Sequence, residues 1–249
     1  MRALRTLLII AVVLGGLFTA ADRLAVGFAE SEAADRIRAS RQLASTPEVS
    51  IHGFPFLTQL AGGELHEVEV SMAGITATAD GRQVDVTEVR AKLRGVRIGS
   101  GFSSAVAGSA EGSARISYED LSEAAPEGAV VGYAGAERAA KGQVELRGRL
   151  VEVLEGAGVP VPGAVEALLG DREVSTYSTV TLVEGSTVRL RAEDLPELPV
   201  PGLGERLRKV VDYDLEIGGL PTGIELDTVR AGEDGLSFSG RGTDVTLTG

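Results

Sequence analysis

Residues 6–21 carry no charged side chain, and this apolar run is bracketed by Arg2 and Arg5 before it and by Asp22 and Arg23 after it. As a helix it is about 24 Å long, slightly less than the roughly 30 Å hydrocarbon core of a bilayer. The charge layout is that of an export signal, and Thr19-Ala20-Ala21 offers small residues to a signal peptidase without forming a clean A-x-A site. A cleaved signal and a retained anchor both fit, and a buried helix of a soluble protein is a third reading. In the first two cases the positive flank predicts that everything after Asp22 lies outside the cytoplasm.

Residues 22–45 contain no Pro and a single Gly in a stretch rich in Ala, Glu and Arg. Val26, Ala29, Ala33, Ile37 and Ala44 fall three, four or seven apart, and Glu32 stands one turn before Arg36. The spacing predicts a helix that continues out of the apolar segment with a thin apolar stripe and ends at Thr46-Pro47.

After Pro47 the period changes from about 3.6 to 2. Val49 and Ile51 alternate, then Val68, Val70 and Met72. Val84 and Val86 slip phase to Val89, Ala91 and Leu93, and slip again to Val96 and Ile98. The habit returns at Val144 and Leu146, at Val174, Thr176, Val180 and Leu182, at Val188 and Leu190, and at Tyr213, Leu215 and Ile217. It ends with Ile224 and Leu226, Leu236 and Phe238, and Val245 and Leu247. Such alternation predicts antiparallel strands that are wet on one face. The phase slips, several beside glycines, predict bulges that bend the strands and curl the sheet around an apolar concave face. Short helical turns are expected near Glu119, over 163–169 after Pro160-Val161-Pro162, and over 204–210 after the proline-rich residues 196–201. No repeat of fixed period and no break in composition divides the chain. The organisation expected is a signal or anchor over 1–21 and one domain over 22–249, with a helix at 22–45 and mainly antiparallel sheet from 46 on.

Composition narrows the function classes. The hydrophobic fraction of 43% is ordinary, but aromatics make up only 4% and Trp and Cys are absent. The core is therefore expected to be Val, Leu, Ala and Ile. A formal charge of −12, with basic residues scattered singly, argues against nucleic acid, which needs clustered cations. Zero cysteines removes disulfides, zinc–thiolate sites and thiol nucleophiles together.

Catalytic patterns are missing as well. His52 and His66 stand fourteen apart in no metal-binding pattern and read as surface or edge residues. Gly235-Leu236-Ser237-Phe238-Ser239 lacks the closing Gly of a nucleophile elbow and lies in an alternating strand. Gly156-Ala157-Gly158 and Gly240-Arg241-Gly242 match neither a P-loop nor a dinucleotide fingerprint. The acid pairs Glu119-Asp120, Glu193-Asp194 and Glu233-Asp234 sit in polar turn sequence, where solvated carboxylates and caps are the ordinary explanation. No catalytic residue, metal or cofactor is expected.

One segment is specific enough to carry a resemblance. Pro47-Glu48-Val49-Ser50-Ile51-His52-Gly53-Phe54-Pro55-Phe56-Leu57-Thr58-Gln59-Leu60 resembles the opening signature of the LmeA-like phospholipid-binding family of actinobacterial cell envelopes. Gly219-Leu220-Pro221-Thr222-Gly223-Ile224, followed by Asp234-Gly235-Leu236, is similar to a second part of it. The resemblance implies an α+β fold, with a strongly curved antiparallel sheet wrapped on a long N-terminal helix as in tubular lipid-binding domains. It implies an extracytoplasmic protein that binds phospholipid, including phosphatidylinositol-type lipid, at the outer face of the cytoplasmic membrane. Such a protein supports envelope lipid or glycolipid metabolism or transport, and the family supplies no catalytic residues.

The same motif has a physical reading. Pro55 fixes its own φ and favours an extended Phe54, and Gly53 suits a tight turn. The apolar cluster is either a wedge at a groove mouth or membrane surface, or a plug closing one end of the core. Phe54, Pro55, Phe56, Leu57 and Leu60, with Leu220 of the second segment, are the candidate lipid-contacting residues. Each buried methylene contributes about 0.8 kcal/mol, so a sixteen-carbon chain gains on the order of 12 kcal/mol before ordering costs. Two other readings stand beside lipid binding: a structural envelope protein with a filled core, and a lipid esterase, which serine-reactive probes would reveal.

Overall fold

The computed structural model describes residues 2–41, 43–79, 82–99, 104–125, 127–156, 158–193, 195, 202–217 and 222–248. The apolar run and the charged stretch after it form one unbroken helix, α1 (Arg2–Arg41), long and apolar enough to cross a membrane. It ends four residues before the expected boundary at 45, and Ala44 lies beyond it. The rest of the expected stripe behaves as its spacing predicts. Val26 is buried, and Ala29, Ala33 and Ile37 pack half-buried against the same core. Glu32 and Arg36 pair at 2.9 Å.

The strands are divided between two antiparallel sheets rather than forming one. The larger contains β1 (Glu48–His52), β2 (Glu64–Ala79), β3 (Arg82–Ile98), β4 (Ser104–Ser117), β10 (Ile224–Ala231) and β11 (Gly235–Thr248), in the order β1-β2-β3-β4-β11-β10. The smaller contains β5 (Ala129–Tyr133), β6 (Gln143–Arg149), β7 (Glu173–Val183), β8 (Thr187–Ala192) and β9 (Tyr213–Glu216), in chain order. Six further helices are described: α2 (Phe56–Gly62), α3 (Tyr118–Ala124), α4 (Ala136–Ala139), α5 (Leu150–Gly156), α6 (Gly163–Leu169) and α7 (Leu203–Val211). The chain is thus α+β, with a long N-terminal helix. The three expected helical turns are α3, α6 and α7.

The phase slips have a common structural cause. The pairs Leu65↔Val96 and Glu67↔Arg94 flank His66 and Gly95, and the same level continues across the sheet to Gly108 and Asp244. Gly95 and Asp244 sit there with φ of 59° and 51°, a left-handed conformation open to Gly and tolerated by Asp. This transverse crease shifts the inward phase of all four strands together. Leu65, Val96, Ala107 and Val245 on one side of it therefore share a core with Val68, Leu93 and Ala110 on the other. A second slip in β2 and β3, between Met72 and Ile75, has Gly74 at φ 64°.

Two strands had no sequence signal. Strand β4, central in the large sheet, turns Ala107 and Ala110 inward at 0% and 3% exposure, and Ile116 near its end is its one large buried apolar residue, too little to mark a period. Strand β5 is a five-residue edge. Three apolar clusters result. The first joins α1 and α2 to one end of the large sheet. The second joins the other end, through Val84, Val86, Ile116, Leu236 and Phe238, to Val144, Val180, Val188 and Leu190 of the small sheet. The third packs Leu150, Leu154 and Leu207 of α5 and α7 on the small sheet.

Candidate functional site

The conspicuous motif lies where α1 meets the end of the large sheet. Strand β1 pairs with β2, and the Glu30 carboxylate of α1 accepts the Ile51 N–H at 2.7 Å, which fastens the helix along that edge. Gly53 then turns the chain at φ 106°. That conformation favours glycine, and a β-carbon there would come within 2.7 Å of Gln59 Nε2, so the buried Gln59 amide would have to shift. The Phe54–Pro55 peptide is cis, and Pro55 precedes the first turn of α2 without a side-chain cap of its own.

That cap comes from α1. The Asp22 carboxylate, fully buried, accepts the Leu57 N–H at 2.8 Å, satisfying one of the orphan donors at a helix start. Its second oxygen accepts from Arg23 Nη2 at 2.7 Å, and the same guanidinium lies 5.4 Å from the centre of the Phe54 ring. At the other end of α2, Gly63 at φ 74° donates its N–H to Gln59 and Leu60 carbonyls. The buried Gln59 side chain accepts the His66 N–H at 2.8 Å and so ties the helix to the start of β2.

The structure splits the apolar motif between the two roles its sequence allows. Phe56 is 2% exposed inside the first cluster, and Leu57 and Leu60 pack half-buried against it, which is the plug. Phe54 is 56% exposed and lies outside that cluster, the exposure that a wedge requires. Pro55 is half-buried between them. Leu220 lies outside the described residues, as do residues 218, 219 and 221. Ile98, Ala105, Ile224 and Leu247 pack half-buried on the same cluster at the same end of the sheet. That end therefore carries an apolar rim formed by several chain segments.

Sequence reasoning missed α2, because its first residues read as part of a proline turn. It also missed Asp22, Arg23 and Gln59 as its supports. The only available signal was the charge of Asp22 immediately after an apolar run, which has a simpler explanation as the end of that run.

The opposite, polar face of the large sheet carries a row of charges. His52 on β1 is 3.4 Å from Glu69, and Lys92 lies 2.9 Å from Glu67 and 2.8 Å from Glu69. The hydrogen bond from Lys92 holds both carboxyls below the usual glutamate range, and the two carboxylates raise the ammonium in turn. His52, Glu67 and Glu69 have ligand atoms within 4.8 Å of one another, but the Lys92 ammonium already supplies the positive charge there. Both histidines are exposed, as expected of surface or edge residues. A trough of about 1150 Å3 crosses this face, lined by Glu48, Glu69, Arg90, Lys92, Glu111 and Arg241 among others. This concavity is lined mainly by charged and hydroxyl side chains and by glycines, whereas curling of the strands was expected to leave an apolar one. The apolar side is instead occupied by α1, α2 and the protein's own core residues.

The sequence model of the LmeA-like phospholipid-binding family matches residues 20–241 of the chain. No curated protein and no solved structure matches it.

Proposed function

This chain belongs to the LmeA-like phospholipid-binding family, and from that membership we propose that it holds phospholipid at the apolar end of its large sheet, outside the cytoplasm. The family match carries this reading, and the rim of half-buried Leu57, Leu60, Ile98, Ile224 and Leu247 beside exposed Phe54 supports its location. Acyl chains lie along that rim, between α2 and the strand ends, where burial of methylenes drives binding without a fixed polar contact. Phe54, Pro55, Leu57 and Leu60 contact lipid, while Phe56 forms the floor. The acidic surface gives no general attraction for anionic headgroups, so a local cation is needed. Arg23, half-exposed beside Phe54, supplies it for the phosphate of a phosphatidylinositol-type lipid. Residues 6–21 act as a retained anchor at the outer face of the cytoplasmic membrane, and the protein serves envelope lipid or glycolipid metabolism or transport.

The test is native mass spectrometry of the full chain, purified in mild detergent from membranes containing phosphatidylinositol. Bound phospholipid is expected, with less retained by Phe54→Ser and Arg23→Gln. A lipid-free protein whose melting temperature does not respond to added phospholipid would contradict the reading. It would favour a second one, a structural envelope protein, which the close filling of the first cluster around Phe56 supports.

A further inference from the structure

The uncharged run of α1 is shorter than a bilayer, and the structure shows where the missing length comes from. Residues 6–21 span about 24 Å against a hydrocarbon core of roughly 30 Å. Two faces of the helix continue differently beyond that run. Toward the folded body, Asp22, Val26, Ala29 and Ala33 follow one another at spacings of four, three and four and pack against the protein. On the opposite side, Leu17, Ala21, Leu24 and Phe28 follow at the same spacings, with Leu24 and Phe28 exposed at 77% and 74%. The outward face thus stays apolar for about 10 Å past Ala21. Charged residues at 22 and 23 do not interrupt it, because Asp22 is sealed inside the protein and Arg23 bends back over Phe54.

We propose that the folded body is seated directly in the interfacial layer of the bilayer, with Leu24, Phe28 and Phe54 immersed among lipid headgroups and upper acyl carbons. The proposal rests on α1 being a retained anchor and adds that no spacer separates anchor from body. Three observations carry it. Helix α1 is continuous from 2 to 41, so the body cannot swing away on a linker. The Asp22–Leu57 bond and the Glu30–Ile51 bond lock that helix to α2 and β1. The length deficit draws the first turn after Ala21 toward hydrocarbon depth, where only a shielded Asp and a snorkelling Arg are tolerated. Phe and Leu on the apolar face of an interfacial helix insert at the boundary between headgroups and acyl chains. In this position the apolar rim opens onto the leaflet itself, so a phospholipid reaches it without crossing water.

The chain has no tryptophan, so each introduced Trp is a unique probe. The full chain carrying Phe28→Trp, Phe54→Trp or Val130→Trp is reconstituted in phosphatidylcholine vesicles with brominated acyl chains, and quenching is compared with unbrominated vesicles. Val130 is an exposed residue of the small sheet, away from the anchor. Strong quenching is expected at 28 and 54, at least threefold that at 130. Quenching at 54 alone marks a bound lipid molecule rather than a bilayer and overturns the proposal, as does quenching at 28 alone, which leaves the body raised. Leu24→Cys chains that crosslink to each other, with Phe28→Trp unquenched, assign the outward face to a second copy and overturn it too. Alkaline carbonate extraction of the same vesicles separates the premise. A chain that stays with the pellet but shows no quenching refutes seating alone, and a chain that is released refutes the anchor and the seating together. Phospholipid co-purification reads the binding function independently of all these outcomes.

Discussion

The Asp22 carboxylate and the Leu57 backbone N–H, thirty-five residues apart, meet at 2.8 Å. The long N-terminal helix α1 therefore caps the short helix α2. Asp22→Ala removes this acceptor and leaves the first turn of α2 uncapped inside the protein. The full chain in detergent is expected to melt a few degrees lower by circular dichroism, and Asp22→Asn, which keeps one oxygen acceptor, falls between it and wild type. An unchanged melting temperature for Asp22→Ala would show that the cap contributes nothing.

Neighbouring phenylalanines should separate stability from lipid contact. Phe56→Ala empties a nearly fully buried position and is expected to cost about 3–5 kcal/mol in denaturant unfolding. Phe54→Ser removes an exposed ring and is expected to change stability by no more than about 0.5 kcal/mol. It should nevertheless lower the phospholipid recovered with the protein. A matching loss of stability in both variants would contradict the division into plug and wedge.

Glycines around α2 give a paired test. Gly53→Ala places a side chain at φ 106° and against Gln59, and is expected to destabilise the fold by about 1–3 kcal/mol. Gly62→Ala meets nothing within 4 Å at the end of α2 and should be neutral or slightly stabilising in the same denaturant titration.

Acid should weaken the large sheet through its ion pairs. Lys92 lowers the carboxyl groups of Glu67 and Glu69 below their ordinary 4.5, so these groups bind protons less readily folded than unfolded. Their stabilising contribution is present above that ordinary value and is lost as pH falls through the lowered folded values. Asp214, lowered by its hydrogen bond from Arg189, acts in the same direction in the small sheet from its ordinary 3.8. Lys92 is raised above 10.5, so its contribution holds below that value and fades at higher pH. Thermal melting is expected to fall from pH 5 to pH 3, and Lys92→Met should flatten part of that fall. An identical pH profile in the variant would remove Lys92 from the account.

Most of the strands were legible because their inward residues are β-branched or leucine at period two. Each phase slip falls at the level of a glycine at positive φ, but the β2–β3 register continues unshifted there, so neither slip is the expected bulge. Strand β4 escaped because alanines face inward along it. Alanine side chains are too small for a hydrophobic pattern to register, and Ile116 stands alone near the strand's end. Helix α2 escaped because seven residues are too few to display a period, and its cap is distant in sequence. The division into two sheets was also invisible, since alternation says which face of a strand is buried but not which strand is its neighbour.

The sequence by itself determined the long N-terminal helix, the antiparallel character of the body, the positions of the phase slips and the family. Each of these follows from local periodicity, backbone chemistry or an uninterrupted motif. Tertiary structure decided that Phe56 goes inward while Phe54 stays out, that Asp22 is shielded, and that Leu24 and Phe28 remain uncovered beside the uncharged run of α1. Those outcomes depend on which surfaces meet when remote segments pack, and a pattern read along one strand or helix contains no information about its partner.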